Sequence, residues 1–249
     1  MTASFPPPSI DVAGLAGQMR AQGDAVLAAS GLAELTGCEL TALDALKPSW
    51  DTLPPDTYLK DGGRYRRRRH SCFVFAADAL VQAPHRAHWQ SLDYNALHGG
   101  MHRWFEPIDP AVVAAPAWAQ LLSGLARTCS GLRPAARWCI EAHQFRIDTS
   151  DGLGRPTPEG AHRDGVDFVA VILVGREGIK GGETRVFEAA GPWGQRFTLA
   201  EPWSMLLLDD ARMIHETTPI QPEGAEAPTP GHRDTLVLTL RRDSFQGDD

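Results

Sequence analysis

From Pro134 onward the sequence breaks into short strand-like runs separated by Gly, Pro and Asp: Trp138 to Ile147, Asp167 to Val174, Glu183 to Phe187, Trp203 to Leu208 and Thr235 to Leu240. Such short strands at close spacing suggest a sandwich or small barrel rather than alternating βαβ units. Upstream the texture is helical. Apolar residues recur at Val12, Leu15, Met19, Val26 and Leu27, and a second such stretch runs from Ala111 to Leu125. The sequence therefore reads as mainly β with flanking helices (α+β). A helix-rich segment, 1–134, flanks a barrel over about 135–242, within one domain spanning 1–249, a length that one core can serve. The segment Gln221 to Gly231, rich in Pro, Gly, Glu and Ala, is read as a connection between two strands.

Charge and cysteine usage narrow the partners. Apolar residues make up 43% and charged residues 22%, the usage of a folded globular chain. A net charge of −7 offers no general attraction to phosphate backbones, so no nucleic-acid partner is expected. No apolar run approaches the ~20 residues of a membrane helix, so no membrane partner is expected either. Cys38, Cys72, Cys129 and Cys139 show no CxxC spacing and read as buried thiols. The segment from Met1 to Pro8 carries neither a basic region nor an apolar stretch, and with those thiols it points to the cytoplasm. Arg66-Arg67-Arg68-Arg69 reads first as a strand with alternate side chains in solvent, and second as a strand turning one arginine inward to a carboxylate.

The chemistry centres on histidine, spacer, acid, which occurs as His162-Arg163-Asp164 and as His232-Arg233-Asp234. With 9 histidines and 31 acidic residues, one copy can arise by chance. Residues i and i+2 of a strand share a face, so either pair could present an imidazole and a carboxylate to one metal. Non-haem iron requires a further histidine, leaving adjacent coordination positions open. His215 follows the first triplet within the strand-rich half, whereas no histidine follows the second. His162, Asp164 and His215 are therefore the candidate metal ligands and catalytic residues. The kinase reading of His-Arg-Asp fails, because no Asn stands five residues after Asp164 and no glycine-rich loop or DFG is present.

The stretch Pro158-Glu159-Gly160-Ala161-His162-Arg163-Asp164-Gly165-Val166-Asp167-Phe168-Val169 resembles the metal strand of bacterial Fe(II)/2-oxoglutarate dioxygenases related to L-isoleucine hydroxylase. Further blocks agree in order: Gly181 to Phe187, Leu206 to Asp210, His215 to Ile220 and Arg233 to Thr239. Gln90 to Asn95 and Gly99-Gly100 are similar as well, so the resemblance spans roughly residues 60 to 242. It implies a distorted double-stranded β-helix, a jelly-roll or cupin-like barrel with an N-terminal helical layer, holding Fe(II) through His162, Asp164 and His215. It also implies 2-oxoglutarate and O₂ as cosubstrates. Arg233 would meet the distal carboxylate of 2-oxoglutarate, since a guanidinium fork matches a carboxylate, and Thr235 and Thr239 share its face.

The expected reaction is hydroxylation of a small-molecule substrate, the side chain of a free aliphatic L-amino acid, with release of succinate and CO₂. The alternatives are the same chemistry on a peptidyl or biosynthetic-intermediate substrate, or a non-catalytic small-ligand binder. An amino acid needs a cation and an acceptor beside the iron. Gln144 and Arg146, alternating on the strand before the metal segment, are the expected pair, with Tyr94, Asn95 and Arg103 as a lid. His70, His98, His102 and His143 are read as surface or core histidines, and Trp193 and Trp203 as barrel packing.

Overall fold

The computed structural model describes residues 5–95, 97–224 and 230–248. The first helical stripe resolves into helix α1 (Val12–Gln22), strand β1 (Asp24–Leu27) and helix α2 (Ala29–Thr36). Gly23 makes the break: its φ of 87° is left-handed, and its N–H returns to the Met19 carbonyl, turning the chain out of α1. Helix α3 (Leu40–Asp44) and a 3-10 turn (Lys47–Thr52) lead to β2 (Arg66–Ala76), which carries the arginine run, and to β3 (Ala79–Gln82). The segment read as helix-rich thus also supplies three strands. Helices α4 (Pro110–Val113) and α5 (Pro116–Leu132) precede β4 (Arg137–Asp148), β5 (Phe168–Glu177), β6 (Ile179–Gly181), β7 (Thr184–Glu188) and β8 (Gly194–Phe197). Strands β9 (Met205–Asp209), β10 (Met213–Thr217), β11 (Ile220–Pro222) and β12 (His232–Arg242) complete the described elements. The expected connection after Gln221 runs from β11 to β12, and its residues 225–229 lie outside the described residues.

The main sheet is antiparallel, in the order β1-β9-β5-β12-β4-β2-β3; β10-β7-β8 and β11-β6 form smaller sheets. Alternation along the strands gives the main sheet two faces. On one, Ala170, Ile172, Leu236, Leu238, Leu240, Ile140 and Ala142 pack with Leu15, Leu32, Trp118 and Leu121 of the helices. On the other, Val169, Val171, Leu173, Leu206 and Leu208 meet Val186, Phe197 and Met213 of the smaller sheet. The two sheets close on each other as a double-stranded β-helix. Trp203 packs with the helical face and not inside the barrel, and Trp193 is partly exposed.

The inner face changes character across the sheet, and this places the site. One register row runs Leu173, Thr235, Phe145, Arg68; the next runs Val171, Val237, His143, His70; a third runs Val169, Thr239, Glu141, Cys72. Apolar packing at β5 and β9 thus gives way to polar side chains on β12, β4 and β2. The cavity opens on that polar side.

Candidate metal centre and cavity

His215 lies on β10, while His162 and Asp164 lie in the connection between β4 and β5. A backbone bridge joins the two histidines: His162 N–H donates to the His215 carbonyl at 3.0 Å, and His215 N–H to that of His162 at 2.9 Å. Asp210 fixes the turn that follows, its carboxylate accepting N–H bonds from Asp164, Gly165 and Val166 at 2.9, 2.7 and 3.0 Å. Gly165 is required there: at φ 80°, a Cβ would stand 2.5 Å from the Tyr94 ring.

His162 Nε2 lies 3.9 Å from Asp164 Oδ1, and His215 Nε2 lies 3.9 Å from Asp164 Oδ2. One ligand atom from each residue fits within a 4.8 Å span. The hydrogen-bond pattern suits a metal. His162 Nδ1 donates to the Gly160 carbonyl at 2.9 Å, which leaves the Nε2 lone pair facing the acid. Burial holds His215 well below its ordinary pKa, and so neutral. Burial raises the Asp164 carboxyl; at His162 burial lowers the pKa, but the carboxylates of Asp164 and Glu159 outweigh it and the imidazole is raised. The cluster attracts positive charge, and two imidazoles with one carboxylate match a facial iron(II) site. His232 and Asp234 do not join it: Asp234 is forked by Arg146.

The cavity beside the triad is lined by Arg233, Thr235 and Thr239 of β12, together with Val171, Val237, Phe145 and Ile147. Arg233 is 3% exposed, its Nε and Nη2 have no partner, and burial brings its pKa down to about 10. A buried cation with open N–H groups calls for an anion, which the distal carboxylate of 2-oxoglutarate would supply.

The other expected pocket residues divide. Asn95 and Arg103 line the cavity. Gln144 and Arg146 do not, because their row on β4 faces the other way: Gln144 donates to Ser49 Oγ at 2.8 Å, and Arg146 bonds Asp234 and Asp51. Tyr94 lies outside the cavity, its ring 5.8 Å beneath the Arg163 guanidinium. Two residues of the arginine run line the cavity instead. Arg67 is exposed, but Arg66 and Arg68 turn inward onto the cavity wall with Asp56 behind them, at 2.7 and 3.8 Å. His98 and His143, read as surface or core histidines, are buried on the cavity wall. His70 is buried behind the wall, and His102 is exposed.

Sequence reasoning missed Gln90, His88, Glu141 and Glu159. Glu141, in the row behind the wall, accepts from His70 Nε2 at 2.8 Å and His88 Nδ1 at 2.7 Å. His143 Nε2 is 3.8 Å from the same oxygen. Glu159 lines the cavity near His162, with its Oε2 buried and unpartnered.

Two sheets closed around a His, Asp, His triad, with a buried arginine on the cavity wall, match the arrangement that an iron(II) and 2-oxoglutarate oxygenase requires. The chain belongs to the 2-oxoglutarate–Fe dioxygenase family, whose model matches residues 47–239; its cofactors are Fe(II), 2-oxoglutarate and O₂. The sequence is 52% identical to a bsmA homologue from Methylobium petroleophilum PM1, covering 100% of both chains at a TM-score of 0.92. IDO from Bacillus thuringiensis is 18% identical over 94% of this chain and 100% of its own, at a TM-score of 0.76. The Fe(II)/α-ketoglutarate-dependent dioxygenase TqaL is 19% identical over 95% of this chain and 88% of its own, at 0.71. These last two share the fold. No curated protein matches the sequence.

Proposed function

We propose that the protein hydroxylates the side chain of a free aliphatic L-amino acid, with His162, Asp164 and His215 holding the iron and Arg233, Thr235 and Thr239 receiving 2-oxoglutarate. One observation carries the substrate reading: groups of opposite charge on one cavity wall each keep a buried atom without a hydrogen-bond partner. Arg66 Nη2, Arg68 Nε and Arg103 Nε are buried without partners, and so is Glu159 Oε2. A zwitterion offers a carboxylate to the guanidinium groups and an ammonium to Glu159. Its aliphatic chain suits Val171, Val237 and Ile147.

Charge balance supports the same class. Arg66, Arg68, Arg103 and Arg233 are matched in number by Asp56, Glu141, Glu159 and Asp164, in or behind the cavity. The two positive charges of Fe(II) then offset the two negative charges of 2-oxoglutarate. A substrate with no net charge keeps the buried site balanced. Bound iron and 2-oxoglutarate supply the oxidising power; the chain's own residues orient the ligands and exclude water. Four buried free thiols suit a reducing compartment, so we place this single-domain enzyme in the cytoplasm.

The test is incubation of purified protein with Fe(II), ascorbate, 2-oxoglutarate and each common amino acid, with succinate and oxidised product followed by mass spectrometry. An aliphatic amino acid should stimulate succinate formation and gain one oxygen atom. Stimulation by capped peptides and by no free amino acid would overturn the reading.

A further inference from the structure

Gln90 lies between β3 and α4, far in sequence from every metal ligand, yet its side chain reaches one of them. Its Nε2 donates to Asp164 Oδ1 at 2.9 Å, and its Oε1 accepts from Arg103 Nη2 at 2.9 Å and from Asn95 Nδ2 at 3.1 Å. All three partners of this network are buried or nearly so, with Gln90 itself 5% exposed.

The orientation of that amide is enforced. Asn95 is fixed as a donor, because its own Oδ1 accepts the His98 N–H at 2.7 Å. Arg103 can only donate. Two donors on one side therefore hold the Gln90 oxygen, and its NH₂ must face the carboxylate. The flipped amide would set N–H groups against a guanidinium and oxygen against carboxylate oxygen.

We propose that Gln90 is a positioning residue of the metal centre: it occupies Oδ1 of Asp164 so that Oδ2 is presented to the ion, and Arg103 sets the direction of its amide. Asp164 is then held at both ends, its backbone N–H by Asp210 and its carboxylate by Gln90. The inference rests on the triad as the metal site. Arg103 also lines the cavity, so one guanidinium belongs both to the cavity wall and to the support of a metal ligand.

Manganese(II) binding, read by electron paramagnetic resonance on protein without 2-oxoglutarate or substrate, tests this independently of turnover. Gln90→Met keeps the length and removes the dipole; it should weaken Mn(II) about 10- to 100-fold, the usual cost of losing an outer partner of a ligand. Arg103→Met should weaken it several-fold, and Arg103→Lys, which keeps a donor, should stay near wild type. Folding is checked by thermal unfolding. A folded Gln90→Met that binds Mn(II) within a factor of two of wild type would overturn the proposal. If Gln90→Met does not fold, equal affinities for Arg103→Met and Arg103→Lys would overturn it. Asp164→Ala is the separate control: if it binds Mn(II) like wild type, the triad assignment is what fails.

Discussion

Arg68 Nη2 and His143 Nδ1 meet at 2.6 Å inside the barrel. A guanidinium can only donate, so Nδ1 is the acceptor and the ring carries its proton on Nε2. That proton occupies the nitrogen facing Glu141. The four residues His70, His88, Glu141 and His143 could by proximity hold a metal, yet Arg68 leaves His143 no lone pair to give. The cluster is a carboxylate collecting N–H groups. The protein should therefore bind one equivalent of Mn(II), lost in Asp164→Ala and kept in His143→Ala; isothermal titration showing two equivalents would contradict this.

Arg68 itself should matter for substrate. Arg68→Met removes a cavity cation without touching the triad or Arg233. Substrate-stimulated 2-oxoglutarate decarboxylation should fall at least tenfold, while the slow substrate-independent reaction persists. Full stimulation in Arg68→Met would shift the carboxylate to Arg66 or Arg103.

Removing a metal ligand should act differently. Asp164→Ala and His215→Ala each should abolish Fe(II)-dependent turnover with the fold retained, because two remaining ligands hold the ion too weakly. His232→Ala should be mild, since His232 lies outside the cavity lining. Succinate assays with circular dichroism separate the cases.

For Arg233→Met, iron binding should survive while the 2-oxoglutarate requirement rises steeply. Loss of a charge-assisted fork in a dry site costs on the order of 2–4 kcal/mol, or roughly 30- to 1000-fold in affinity. Titration of 2-oxoglutarate at fixed Fe(II) checks it.

Acid should destabilise the protein through its buried imidazoles. Burial brings His88 down to about 4, from an ordinary 6.5. The unfolded chain takes up this proton near pH 6.5 and the folded chain does not, so stability falls as pH drops from about 6.5 toward 4 and is unaffected above. Full exclusion of the proton at His88 amounts to about 3 kcal/mol. Asp210, raised to about 7 by burial and the Asp164 charge, acts in the opposite sense. The comparison is therefore between wild type and His88→Gln: denaturant midpoints from pH 8 to 5 should fall less in the variant.

The gathering of His162, Asp164 and His215, with Arg233 on the cavity beside them, was legible because residue types and order carry the signal whatever the packing. The cavity walls supplied by β4 and β2 were not, for a reason of phase. Alternation shows that Gln144 and Arg146 share a face, but not which face; here it is the one that carries Asp234, and the row from Phe145 takes the cavity instead. The arginine run hid the same ambiguity. Arg66 and Arg68 tolerate burial because Asp56, from the segment before β2, stands behind them, and no local pattern announces that pairing. Gly23 was the overlooked break that turned a helical stripe into a helix and an edge strand.

The connection of residues 149–167 is laid back along the strands that follow it: Gly154 bridges Ile220, Thr157 bonds Thr217, and His162 bridges His215. Hydrogen bonds and the Asp167–Arg133 ion pair hold it to the barrel along its length, and the site's ion would add a further link through two ligands on the connection and one on β10. Metal loading would thereby stabilise the connection as well as prepare the site, since an ion that binds only the closed arrangement opposes its opening.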